Sequence, residues 1–237
     1  MMSNLNRLSR PVSGLVIPAL LAACAALPPP GTRLTAEQRA QAQKNCINQY
    51  VVGGAIGGAL LGMLVSSNKD RAQGAVVGAI AGGALAHSYA WGKCLAYYND
   101  TNSFPVADAQ QTATQVGYNP ARGNEVKIQN FTVTPAMLAP GGTLRLAGSY
   151  YVMAPNAQQQ VKVTETRTVH YLDPSDNSWK ELGSETTPVT AALGTRRSEG
   201  QTGMPAEVAE GRYRVTFKVS ALGREDERSQ EIEIKKS

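Results

Sequence analysis

The sequence predicts an α+β chain of several units, a helical hairpin followed by an antiparallel β-sandwich. Two observations predict it. Between residues 51 and 86, two uncharged stretches, VVGGAIGGALLGMLV and GAVVGAIAGGALA, repeat glycine at every fourth position, a helical spacing. From Glu125 onward apolar residues recur at every second position instead, and turn-forming clusters separate the runs.

The N-terminus sets the compartment. MMSNLNRLSRP carries Arg7 and Arg10 and no acid, and SGLVIPALLAA follows as an apolar core of about 10 residues. Such a core is too short to span a bilayer and reads as a secretory signal, residues 1–23. Its end, Leu21-Ala22-Ala23-Cys24, resembles the bacterial lipobox. That resemblance implies that Cys24 becomes the first mature residue and carries a diacylglyceryl thioether and an N-acyl chain such as palmitate. Ala25 stands where an Asp would retain a lipoprotein at the inner membrane, so the resemblance implies the outer membrane. With Cys24 consumed by lipid, Cys46 and Cys94 remain as one candidate disulfide, permitted in an oxidising periplasm.

Removing Arg7 and Arg10 from the 23 basic residues leaves 21 against 18 acidic, a net charge of +3. That is too mild to argue for nucleic acid, and no basic run supports it. AALPPPGTR reads as a stiff tether, so residues 24–34 are taken as an acylated spacer. Thr35-Ala36-Glu37-Gln38 fits a capping box and starts the hairpin, residues 35–100, which turns near Asn68-Lys69-Asp70. Residues 101–124, rich in Ala, Gln, Thr and Asn without a clear period, read as a linker.

In the hairpin, Gly54, Gly58 and Gly62 form GxxxGxxxG, and Gly74, Gly78 and Gly82 form it again. Residues four apart share a helix face, so each helix carries a groove without side chains. Glycine costs about 1 kcal/mol per helical position against alanine. Close backbone approach to another helix offsets that cost. Antiparallel helices pair 54 with 82, 58 with 78 and 62 with 74 in one register. A Cys46–Cys94 bridge, which needs Cα atoms within about 7 Å, favours a register one turn away, with 58 facing 82 and 62 facing 78. Glycine zippers behind a lipobox resemble the lipoproteins of the bacterial surface-antigen type. The resemblance implies membrane lipid as a partner through Cys24, and self-association or an envelope protein partner through the zipper.

The β-sandwich occupies residues 125–237. Leu144, Leu146, Gly148, Tyr150 and Val152 share one face of a strand, as do Val161, Val163, Val169 and Tyr171. Tyr213, Val215, Phe217 and Val219 form a third such face, and Ile232 and Ile234 its partner. Glu210-Gly211-Arg212-Tyr213 resembles the start of an immunoglobulin-type strand with its corner tyrosine, which makes the sandwich Ig-like in pattern. His170 falls on the outward, threonine-lined face, and His87 in the second helix. Asp173 and Asp176 in DPSDNS read as turn residues rather than calcium ligands. No catalytic, metal or cofactor residues are expected. The expected role is a structural or binding one in the cell envelope or a surface or secretion assembly, with the sandwich in the periplasm. The alternative is an oligomeric pore built from the hairpins, and a more remote one is an enzyme with a site in the sandwich loops.

The zipper reading makes a prediction with two opposed terms. Gly58→Leu gains roughly 0.8 kcal/mol of helix propensity. Overpacking of a close helix contact costs about 1 to 3 kcal/mol. Thermal unfolding of the oxidised and reduced protein is expected to show Gly58→Leu melting below the wild type and below Ala55→Leu, which lies off the ridge. A higher melting point for Gly58→Leu in both redox states removes the internal zipper.

Overall fold

A computed structural model of the 237-residue chain describes residues 27–29, 32, 34–56, 82–156 and 160–236. Cys24, Gly58, Gly62, Gly74 and Gly78 lie outside the described residues. The chain order is α1 (Ala36–Ile56), α2 (Gly82–Lys93), α3 (Leu95–Tyr98), β1 (Asn99–Asp108), α4 (Ala109–Val116) and a 3-10 turn (Pro120–Arg122). Then come β2 (Glu125–Thr134), β3 (Met137–Leu138), β4 (Thr143–Met153), β5 (Gln160–Asp173), β6 (Ser178–Ala192), β7 (Gly194–Gly203), β8 (Gly211–Ala221) and β9 (Arg224–Ile234).

α1 begins where the capping box predicts. The Thr35 hydroxyl accepts from Gln38 N–H at 3.2 Å and the Gln38 side chain accepts from Thr35 N–H at 3.0 Å. The strands form two sheets, ordered β1-β7-β4-β2 and β3-β9-β8-β5-β6. Neighbours are antiparallel except β3 and β9. The result is a sandwich-like α+β arrangement, in which the faces read from the sequence point inward: Leu144, Leu146, Tyr150, Val152, Val163, Tyr213, Phe217 and Val219 are all buried. Along one side the sheets are tied by side chains rather than by a ladder. Asp226 accepts from Ile128 N–H at 2.8 Å, and the Gln230 amide both accepts from Val133 N–H and donates to its carbonyl.

Two expectations are corrected. Residues 101–124 are not a linker. β1 pairs with β7 from Asn99 opposite Thr202 to Asp108 opposite Gly194. α4 follows, opened by an Asp108–Gln111 capping box and closed by Gly117 in the left-handed region at φ 64°. β1 escaped the period-2 reading because the side chains it turns toward the second sheet, Asn99 and Ser103, are polar. Nor is the end of the tether a free spacer. Leu27 packs on the core, and the Tyr97 hydroxyl donates to the Pro28 carbonyl at 2.7 Å.

The hairpin is not a separate body either. Ala42, Cys46, Ile47, Ala90, Trp91, Cys94 and Leu95 share one apolar core with Leu144, Leu146, Tyr171, Tyr213 and Ile232. The helix pair therefore plugs one end of the sandwich. Close approach is enforced where α2 crosses β6: a Cβ on Gly183 would sit 2.1 Å from the Gly92 carbonyl oxygen. Gly183→Ala must push the helix off the sheet, at an expected cost of about 1 to 3 kcal/mol. At Gly203 an added Cβ meets nothing closer than Tyr98 Cδ1 at 3.7 Å, so Gly203→Ala is expected to stay within about 0.5 kcal/mol of wild type. Equal denaturant midpoints for the two variants contradict the docking geometry.

Candidate functional site

The junction of hairpin and sandwich is built from sequence-distant residues. Cys46 and Cys94 form a disulfide with Cα atoms 6.0 Å apart. The Gln43 side chain donates to the Tyr97 carbonyl at 2.9 Å, in the same register as the disulfide. Both contacts belong to the register one turn away from the glycine-to-glycine pairing. Gly54 lies in α1 and Gly82 opens α2.

α2 inserts its polar and aromatic face into the sandwich. Trp91 is fully buried, donates to the Gly203 carbonyl at 3.0 Å and packs edge-on against Tyr213. The Tyr213 hydroxyl donates to the Ala209 carbonyl at 2.7 Å, four residues upstream. Ser88 lies 2.8 Å from that hydroxyl and accepts from Ala209 N–H at 2.9 Å. A helix hydroxyl thus completes the strand corner, and burial carries the Tyr213 phenol well above its usual range.

Below this plug lies a polar layer that the sequence reading missed. Glu165 and Arg167 occupy inward positions of β5, between Val163 and Val169, with 1% and 3% exposure. Glu165 accepts from Tyr150 at 2.7 Å, from Ser198 at 2.6 Å and from Arg167 at 2.9 Å. Arg167 also reaches Ser198, and its guanidinium lies 5.1 Å from the Phe217 ring centroid. Asn99 donates to Glu185 beside it, and Arg196 donates to Ser103 at 3.0 and 3.2 Å. Charges at positions 165 and 167, interrupting the apolar alternation of 161, 163, 169 and 171, are the signal that could have found this layer.

The two glutamates are pushed in opposite directions. Burial raises the Glu165 carboxyl, but the Ser103 and Ser198 hydroxyls, the Arg167 charge and the Tyr150 hydroxyl more than reverse it, and the net shift is downward. Burial raises Glu185, and Asn99 and Arg167 offset it only in part. The layer has the chemistry of a structural ion pair: the carboxylate is enclosed and its oxygens are occupied.

Other polar groups are also committed to the fold. The Asp173 carboxylate accepts from Ser175 N–H at 2.9 Å, and Asp176 accepts from Ser178 N–H at 3.0 Å, so both close their turn. On the outer face of the second sheet Arg212 and Arg214 pair with Glu231. Arg214 also lies 4.0 Å from the Trp179 ring. Lys218 pairs with Glu225 at 3.1 Å. His170, on the outward face of β5, is half-buried, and burial lowers its pKa. An open groove of about 330 Å³ between β1, α4 and the β6–β7 turn is lined by Val106, Asp108, Gln111, Leu193, Thr195 and Arg196. Asp108 there is occupied by the α4 cap. Among the described residues no group of His, Cys, Asp or Glu has metal-site geometry, and no helix is long and apolar enough to cross a membrane.

The opposed shifts make a paired prediction. Glu165 stabilises the fold above the ordinary glutamate pKa, and that stability is lost as pH falls through its lowered folded value. Glu165→Gln leaves Arg167 without its counter-charge, at an expected cost of about 3 to 5 kcal/mol at neutral pH. Glu185 has the reverse sign: its stability is greatest below the ordinary value and lost as pH rises through its raised folded value. Glu185→Gln is therefore expected to be as stable as wild type or more so at pH 8. Urea unfolding between pH 4 and pH 8 checks both. A Glu165→Gln variant as stable as wild type at pH 7 rules out the ion pair.

The fold places the chain among known structures only loosely. It aligns with the alkylpurine DNA glycosylase AlkC of Pseudomonas fluorescens at 14% identity and TM-score 0.36, over 85% of this chain and 48% of that one. It aligns with the sporulation control protein Spo0M of Bacillus subtilis at 12% identity and TM-score 0.34, over 47% and 50%. The C-terminal domain of wzt aligns at 15% identity and TM-score 0.35, over 56% and 88%. The chain thus spans about half of the first two, and at such scores the alignments carry no functional argument. No curated protein matches the chain in sequence. Residues 49–90 match the glycine zipper 2TM domain family, which supports the zipper reading of that segment and its association with membranes.

Proposed function

We propose that this is an outer-membrane lipoprotein, held by acylated Cys24, whose zipper hairpin and sandwich together perform a structural or binding role in the cell envelope. The observation that carries the proposal is the junction. A hairpin whose zipper matches a membrane-associated family is locked by a disulfide and inserted into the core of a β-rich body. A disulfide suits an exported protein. The Tyr213–Ala209 bond at the start of β8 supports an Ig-like reading of the sandwich, a fold that commonly serves binding. The protein acts without catalysis in this reading, because the enclosed Glu165 and Arg167 serve packing. Its partners are membrane lipid and either an envelope protein or a second zipper.

Cys24→Ser is expected to abolish acyl labelling in cells and to release the mature body from the outer-membrane fraction. Undiminished labelling of that variant ends the lipoprotein reading. Dye leakage from liposomes treated with the wild-type protein, at levels matching a pore, replaces the scaffold by the pore.

A further inference from the structure

The ends of the two glycine-rich runs meet at a collar of polar-tipped aromatics. Tyr50 immediately precedes the run that opens at Val51, and Tyr89 stands three residues after the second run closes at Ala86. The disulfide register brings their rings edge to face with centroids 6.4 Å apart, and the Lys93 ammonium lies 5.0 Å from the Tyr89 ring. Tyr50 remains 36% exposed, and Lys93 is exposed. Toward the sandwich the helices are packed into protein; in the other direction the sequence is uncharged from Val51 to Asn68.

A length constraint keeps the collar within reach of the lipid anchor. Pro28 is fastened to Tyr97, whose carbonyl accepts from Gln43. Cys24 lies four residue steps before Pro28, and four extended steps reach at most about 14 Å. Gln43 and Tyr50 are seven residues apart on α1, which is about 10 Å along the axis. An acyl chain on Cys24 can therefore enter a bilayer whose surface lies at the collar, and cannot enter one that lies far beyond it.

We propose that Tyr50, Tyr89 and Lys93 sit among the lipid headgroups of the leaflet that holds the Cys24 acyl chains, and fix how deep the hairpin enters. The proposal rests on the lipoprotein reading. Tyrosine rings favour this zone because their bodies are apolar and their hydroxyls wet, and lysine spans the boundary with its stem. The occupant is lipid, because the collar falls within reach of acyl chains on Cys24 and the stretch that follows Tyr50, from Val51 to Val65, is uncharged and almost wholly apolar.

The test uses full-length acylated protein in vesicles of phosphatidylethanolamine and phosphatidylglycerol carrying brominated acyl chains. Tyr50→Trp and Tyr89→Trp are placed separately in a Trp179→Phe background, where buried Trp91 serves as the unquenched control. Each variant is first shown to keep its disulfide and the melting temperature of the background. Quenching of both by bromines near the glycerol end, and little by bromines at the chain terminus, is expected. Absence of quenching in acylated, vesicle-bound protein overturns the collar and leaves the lipid anchor standing. Strongest quenching by terminal bromines overturns it too, because the rings then lie in hydrocarbon. Protein that carries no acyl chain and stays in the aqueous phase overturns the lipoprotein reading and the collar with it.

Discussion

The Cys46–Cys94 bridge is the constraint on which the rest of the structure depends. It closes a loop with a sequence separation of 48, which corresponds to about 4 kcal/mol of chain entropy in the loop-closure model. α1 needs that help, since its first half, AEQRAQAQKN, is polar and has little apolar surface to bury. By holding α1 against α2, the bridge creates a composite surface of Ala42, Ile47, Ala90 and Trp91. Neither helix presents this surface alone, and it is what fills the end of the sandwich. The contact of Gly92 with Gly183 and the Ser88 bond to the strand corner then set the angle and depth of the plug.

The polar layer does a different job. It separates the plug-side core from a second apolar cluster around Tyr150, Val163, Phe217 and Val219. Apolar strands of even period tolerate a slip by two residues, because every side chain still faces the same way. Here such a slip carries Glu165 or Arg167 into an apolar cluster and separates the carboxylate from Tyr150 and Ser198. An unpaired buried charge costs several kcal/mol, so the layer fixes the register of β5 against β6 and β8. The arrangement is worth more for uniqueness than for net stability, since a well-packed apolar replacement of a buried ion pair is often as stable.

What could be read from the sequence follows the same division. The helix start at Thr35, the disulfide and the inward faces of β4, β5, β8 and β9 were legible because each rests on a local rule: a cap, a parity of cysteines, a period of two. β1 was not, because its inward partners are the carboxylates of Glu185 and Glu165 on the facing sheet, with Tyr150 of its own sheet beside them, and these select Asn99 and Ser103 rather than valines. The joining of hairpin and sandwich was equally hidden. Trp91, Ser88 and Gly92 carry no pattern of their own, and their role appears only when Tyr213, Ala209 and Gly183 arrive from more than 90 residues away. α4 left a signal that was passed over, Asp108-x-x-Gln111 followed by Gly117, which is a cap at each end.

The plug also determines which surface remains for a partner. In the proposed arrangement the hairpin and Cys24 lie at one end of the body, so the membrane lies beyond that end. The opposite end is formed around Ala154, Leu193 and Leu222, where the β4–β5, β6–β7 and β8–β9 connections gather beside α4. It is held together by its own contacts: Asn124 donates to the Leu222 carbonyl at 3.2 Å, and Thr112 of α4 lies 3.0 Å from Thr195 of β7. A body anchored by a flexible tether would present every face in turn. This one has Leu27 and Pro28 fastened beside the disulfide, so its orientation is coupled to the hairpin rather than averaged over the tether. The far loops, with the groove between β1 and α4, then face away from the lipid. In the proposed arrangement that end is the one left open to an envelope partner.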